Sequence, residues 1–163
     1  DGGTTIATHT NSSSDYVITT GVQDKDFIVK GDDGGAAITA LTLDMSAGGQ
    51  ATFNASVIAK TDTDTSNTGS VTLDFEANQN FVLTLTGNVT LVNPSTETVG
   101  QSGFIAFIQD GTGSRTVTLG TDYETAAGAG LSLTSTASAT DLVPYVVVAA
   151  NRILLGTPQL AFS

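Results

Sequence analysis

The chain has 163 residues, enough for one ordinary domain or two small ones. Only 13% are charged, and 16 acids against 5 bases leave a net charge of −11. That excludes nucleic acid and anionic membrane surfaces as partners, because phosphate contacts need clustered Lys and Arg. There is no cysteine for a disulfide framework and no run of about 18 apolar residues for membrane insertion.

Thr, Gly, Ala, Ser and Val dominate the sequence. Thr and Val are stiff at χ1 and suit a pleated strand better than a helix. In chain order, short runs bounded by Gly, Asn, Asp or Ser predict strands at Tyr16–Thr20, Phe27–Lys30, Ile38–Asp44 and Thr52–Ala59. Further strands are predicted at Ser70–Phe75, Phe81–Leu85, Thr90–Val92, Phe104–Gln109 and Thr116–Leu119. Leu131–Thr134, Leu142–Ala149, Ile153–Leu155 and Gln159–Phe162 complete the set. Val71, Leu73 and Phe75 alternate with polar residues, as do Phe81, Leu83 and Leu85, which gives each strand one buried and one wet face. No segment carries a helical stripe. Thr134–Thr140 is too rich in Ser and Thr for a stable helix, so helix content near nil is expected.

The two halves differ. Residues 1–69 hold glycine pairs (Gly2-Gly3, Gly34-Gly35, Gly48-Gly49) and few large apolar side chains. Burial returns about 25 cal/mol per Å² against an ordering cost of about 1–2 kcal/mol per residue, so this half needs a core borrowed from neighbouring chains. Residues 70–163 hold five of the seven Phe and most of the Leu and Val. The expected fold is all-β, an N-terminal extended shaft over 1–69 followed by a β-sandwich, jelly-roll-like head of about nine strands over 70–163. The polar stretch 60–69 is expected to be a linker or an ordered crossover. Because the chain opens at Asp1 rather than Met, it is expected to be a piece or processed product of a longer protein.

Two segments bear on function. DFIVKGDDGGAAITALTLDMSAGGQATFNASVIA (Asp26–Ala59) resembles a module of tail-fibre and other structural proteins of tailed phages, notably marine ones. NFVLTLTGNVTLVNPSTETVGQSGFIAFIQDGTGSRTVTLGTDYE (Asn80–Glu124), with the ending DLVPYVVVAANRILLGTPQLAFS, resembles the C-terminal domain of such proteins. The resemblance implies a virion or extracellular homotrimer without a cofactor, working with other virion proteins. The thin apolar face of the first half would then pack on a common axis, with Ile28, Ile38, Leu41, Leu43, Met45 and Phe53 at or near it. The head would contact a host-surface glycan or outer-membrane receptor through its longest loops, 93–101 and 121–130. Thr96, Glu97, Thr121, Asp122, Tyr123 and Glu124 are the contact candidates.

Catalytic and metal-binding readings are weaker than structural ones. His9 has no Cys or second His to complete a zinc site or triad, and lies in a polar stretch. Asp122 with Glu124, Asp24 with Asp26, and Asp32 with Asp33 could pair as glycosidase carboxylates. The chain has no Trp and three Tyr, too few for a sugar-binding wall. Asp62, Asp64 and Asn67 have calcium-type oxygens but lack the further acids of an EF-hand loop. The stretch Gln109–Arg115 lacks the Lys-Ser/Thr ending of a phosphate loop. It reads instead as a hairpin turn flanked by an Asp110–Arg115 pair. Arg152 is expected to pair with Asp141 or Glu124. No catalytic, cofactor or metal residue is therefore assigned, and the chain is expected not to be an enzyme. The alternatives are a bacterial surface filament, pilus or surface-layer subunit or adhesin, and then a tailspike-type polysaccharide depolymerase.

Overall fold

The structure, a computed structural model, describes residues 3–162. It is mostly β-strand, and its only helical segment among those residues is a 3-10 turn at Ala126–Gly128. Two compact units form, Asp1–Ile58 and Ala59–Ser163.

In the first unit, β1 (Ala7–Ser12) and β2 (Asp15–Thr20) make an antiparallel hairpin. Strand β1 was not expected, because ATHTNS is polar throughout and carries no alternation to read. Strands β3 (Phe27–Asp33), β4 (Ala36–Asp44) and β5 (Gln50–Phe53) form an antiparallel three-stranded sheet. The β3–β4 turn is Gly34-Gly35 with φ of +62° and +91°, the pair of left-handed residues that a two-residue hairpin requires. Gly2 of the first expected glycine pair lies outside the described residues. Strand β5 starts and stops earlier than the expected Thr52–Ala59.

No residue of 3–58 is buried within this unit. Register explains where its apolar side chains go. Leu43 pairs with Phe27 and Ala51, and Leu41 with Val29 and Phe53, so these six residues share one face. Ile28 pairs with Thr42, which puts it on the other face, whereas Ile38 pairs with Gly31 beyond a bulge in β4 and so returns to the face of Val29 and Phe27. The six residues expected along a common axis are thus divided. Ile38, Leu41, Leu43 and Phe53 lie on one side, Ile28 on the other, and Met45 just past the end of β4.

In the second unit, β6 (Thr61–Val71), β7 (Asn80–Leu91), β8 (Ser102–Gln109), β9 (Val117–Leu119), β10 (Tyr123–Glu124), β11 (Thr140–Ala149), β12 (Arg152–Leu155) and β13 (Gln159–Phe162) belong to one sheet. Its main order is β10-β12-β11-β8-β7-β6, with β9 beside β7 and β13 beside β11. The pairs β6–β7, β7–β8, β7–β9 and β10–β12 are parallel, whereas β11 is antiparallel to β8, β12 and β13. The sheet curls into a half-barrel, sandwich-like in enclosing its own core. A jelly roll instead pairs its strands antiparallel in two sheets.

Three local expectations change. The polar stretch 60–69 is mostly strand β6 rather than linker. Its Thr residues suit an edge that faces water, and the Asn67 amide donates to the carbonyls of Asp64 and Thr84, both at 3.1 Å. The predicted strands Phe81–Leu85 and Thr90–Val92 are one continuous β7, because Gly87 is a close-approach position and not a turn. A Cβ there would meet Thr68 Oγ1 of β6 at 2.2 Å. Leu131–Thr134 is not a strand, although Leu131 and Leu133 pack on the core.

Phe81, Leu83 and Leu85 of β7 are buried as the alternation predicted, and Val89 and Leu91 further along the same strand are buried with them. They meet Ile105 and Phe107 of β8, Val143, Tyr145 and Val147 of β11, and Ile153 and Leu155 of β12. Leu73 and Phe75 follow the end of β6 yet are buried too. Phe75 packs edge-on against Tyr145 at 5.2 Å and tilted against Phe81 at 5.0 Å.

Candidate functional site

The two long loops of the second unit meet at one end of the curled sheet. Residues 92–101 connect β7 to β8, and residues 120–122 lead into β10. Asn93 joins them. Its side-chain nitrogen donates to Thr121 Oγ1 and Asp122 Oδ1, each at 2.8 Å, and its oxygen accepts from the Asp122 amide at 3.1 Å. Gly120 makes this possible: a Cβ on it would fall 2.2 Å from Asn93 Oδ1 and 2.9 Å from the Leu91 carbonyl oxygen. The Ile153 amide then donates to the Asp122 carbonyl, which docks the segment beside β12.

Most of the expected contact residues have partners within the fold. Asp122 and Tyr123 are only 8% and 5% exposed. Glu124 is half-buried and receives a two-point contact from Arg152, Nε to Oε1 at 2.7 Å and Nη2 to Oε2 at 2.9 Å. That bond holds the Glu124 carboxyl below its ordinary range and raises the Arg152 guanidinium. Glu97 Oε1 accepts from the Asn151 amide at 2.8 Å, which fixes the β11–β12 turn. Thr96 Oγ1 accepts from the Glu76 amide. Only Thr121 of the six is exposed. The sequence reading missed Asn93 and Gly120, although Asn93-Pro94 and the Gly120-Thr121-Asp122 run did mark turns.

Tyr123 has its hydroxyl buried without a hydrogen-bond partner among the described residues. Burial raises its pKa most, with Asp122 and Glu97 adding to the rise. Its neighbourhood opens into a groove of about 640 Å³ lined by Val117, Leu119, Tyr123, Glu124 and Leu131 beneath the exposed segment 126–130. The lining is aliphatic and backbone, with one carboxylate already paired.

The remaining candidates resolve as parts of the fold. Strands β8 and β9 do not pair with each other, so Asp110–Arg115 is not a hairpin turn. Both strands run parallel to β7, and the loop bulges out between them. The expected Asp110–Arg115 pair is present at 2.7 Å. Gln109 adds a two-point clasp on the Arg115 backbone, donating to its carbonyl at 2.9 Å and accepting from its amide at 2.8 Å. Arg152 takes Glu124, while buried Asp141 accepts the amides of Thr134 and Ala161. Asp122 and Glu124 have separate partners and form no acid pair. His9 lies exposed in β1 with Nδ1 against the Tyr16 hydroxyl. Among the described residues no group of three His, Asp or Glu side chains is placed to hold a metal ion. No helix among them is long and apolar enough to cross a membrane.

Residues 68–148 match the family described as "Putative phage tail fibre C-terminal domain". The match covers just under half of the chain and runs from the end of β6 into β11, within the second unit. No curated protein and no solved structure matches the chain. The all-β fold and the tail-fibre match support, in general terms, a structural and non-catalytic virion or appendage protein.

Proposed function

We propose that this chain is a structural fibre or appendage protein of a phage virion, that it assembles as a homotrimer, and that its second unit presents a host-surface-binding head. The observation that carries the reading is the absence of any buried residue across 3–58, in a unit whose sheet still displays Phe27, Val29, Leu41, Leu43 and Phe53 on one face. A single copy gains too little from burial to offset the ordering of that sheet, and neighbouring copies supply the missing cover. The tail-fibre match over 68–148 supports the virion setting. Recognition falls to the loop surfaces left free by the fold: 98–100, where Val99 is 61% exposed, and 126–130 above the groove. A glycan or an outer-membrane component is the receptor class.

The test is the native mass of the purified chain by size-exclusion chromatography with light scattering, alongside an unboiled denaturing gel. Three chains resisting detergent until heated is the expected result. A stable monomer overturns the trimer, and an open-ended polymer favours a surface filament instead.

A further inference from the structure

We propose that the Asp33-Gly34 bond at the β3–β4 turn is a site of spontaneous backbone isomerisation to isoaspartate, and that the fold protects the chemically identical Asp110-Gly111 bond from the same reaction. In this chemistry the backbone nitrogen of the following residue attacks the aspartate side-chain carbonyl carbon. The new carbon–nitrogen bond closes a five-membered succinimide, the nitrogen loses its proton, and the carboxyl loses one oxygen as water. Water then adds to either ring carbonyl, restoring aspartate or giving the β-linked isomer, with no net change in mass and no other reactant. Glycine in second place favours the attack because no Cβ shields the nitrogen.

The two sites differ in what holds the carboxylate. Asp33, Gly34 and Gly35 are all exposed, and neither the Asp33 side chain nor the Gly34 amide has a hydrogen-bond partner among the described residues. Both central residues of the turn are glycines at positive φ, and the one side-chain bond there, from the Gly35 amide to Asp32 Oδ1 at 2.8 Å, engages neither the Asp33 carboxylate nor the Gly34 nitrogen. At Asp110 every approach is occupied. Oδ1 accepts from the amides of Thr112 and Gly113, both at 2.9 Å, and Oδ2 accepts from Arg115 Nε at 3.1 Å and Nη2 at 2.7 Å. The carboxyl cannot turn toward the Gly111 nitrogen without giving up four bonds. The Arg115 bond also holds its pKa at about 2, so the protonated form, whose hydroxyl leaves as water, is scarce.

Isomerisation at Asp33 inserts a methylene into the main chain at the residue that pairs with Ala36, so it undoes the end of the β3–β4 ladder. It is a clock on the first unit, and it does not depend on the assembly reading.

The experiment ages the full-length chain at neutral pH and physiological temperature in heavy-oxygen water. Peptide mapping then follows, with isoaspartyl methyltransferase labelling and oxygen incorporation as readouts. Isoaspartate should accumulate with time in the peptide containing Asp33 and stay at background in the one containing Asp110. In Arg115→Gln, labelling at Asp110 should rise several-fold while Asp33 keeps its wild-type rate, which serves as the internal control. Equal labelling at the two sites, or none at Asp33, overturns the proposal. No rise at Asp110 in Arg115→Gln overturns the protective role of the Arg115 contact.

Discussion

Asn93 and Asp122 grip each other twice, side-chain nitrogen to carboxylate at 2.8 Å and backbone amide to side-chain oxygen at 3.1 Å. The two residues come from different connections, one after β7 and one before β10, and Asp122 is 8% exposed. A buried carboxylate left without its donor bears the full cost of its lost solvation. Asn93→Ala should therefore destabilise the second unit by about 1–3 kcal/mol. Asn93→Asp should cost more, since it sets a like charge against Asp122. Urea unfolding followed by tyrosine fluorescence reads both. An Asn93→Ala midpoint equal to wild type would show that the two loops are held by other means.

The approach of β6 to β7 at Gly87 gives a second test, with a built-in partner. A methyl at position 87 would sit 2.2 Å from Thr68 Oγ1 and 3.0 Å from its Cβ. Gly87→Ala should cost about 1–3 kcal/mol through overpacking. Thr68→Ala removes the nearer atom, so the double variant should recover part of the loss. A double-mutant cycle with no coupling would mean that the strands part without strain.

How much of this was legible in the sequence follows from which signals are local. Phe81, Leu83 and Leu85 were readable as inward because a period of two is carried by neighbouring residues. The Asp110–Arg115 pair was readable because the two residues flank one short loop, whereas Arg152 was readable only to two acids, Asp141 or Glu124, of which it takes Glu124. Parallel pairing was not readable. The connections 72–79 and 92–101 are short and helix-free, unlike the helical crossovers that usually announce parallel strands. Polar β6 hid for a related reason, since an edge strand beside water needs no apolar face. The strand at β10 hid in the same way: Asp122, Tyr123 and Glu124 sit in a loop-like sequence, yet register places Tyr123 beside Ile153 and Glu124 beside Leu154 in the sheet.

The Asp110–Arg115 pair sets a pH dependence with a definite sign. The Asp110 carboxyl lies at about 2 in the folded chain against an ordinary 3.8, chiefly through the Arg115 bond and then the Gly113 amide. A folded value below the unfolded one stabilises the fold at all higher pH, and the contribution fades as pH falls from 3.8 through about 2. Carboxyl-carbon NMR should find Asp110 still ionised where exposed aspartates have taken up their protons. Arg115→Gln should return its titration toward the ordinary range. Titration of wild-type Asp110 together with the exposed aspartates would refute the pairing in solution.

The divided faces of the first unit let its assembly be tested without the usual ambiguity of a broken core. Phe53 is 54% exposed in the single chain and Ile28 is 45% exposed, so a charge at either costs an isolated copy little. In an assembled copy the cost depends on which face is covered. The Phe27, Val29, Ile38, Leu41, Leu43 and Phe53 side presents two aromatic and four branched aliphatic side chains. The opposite side presents Ile28 among Lys30, Thr39, Thr42 and Thr52. Burial favours the first, at about 1.5–3 kcal/mol for each large side chain fully covered. Phe53→Glu should accordingly reduce the native mass to that of one chain, while Ile28→Glu leaves it at three, with matching far-UV circular dichroism in both. The reverse pattern would place the axis on the Ile28 side, and loss of assembly in both would mean that copies enclose the sheet from two directions.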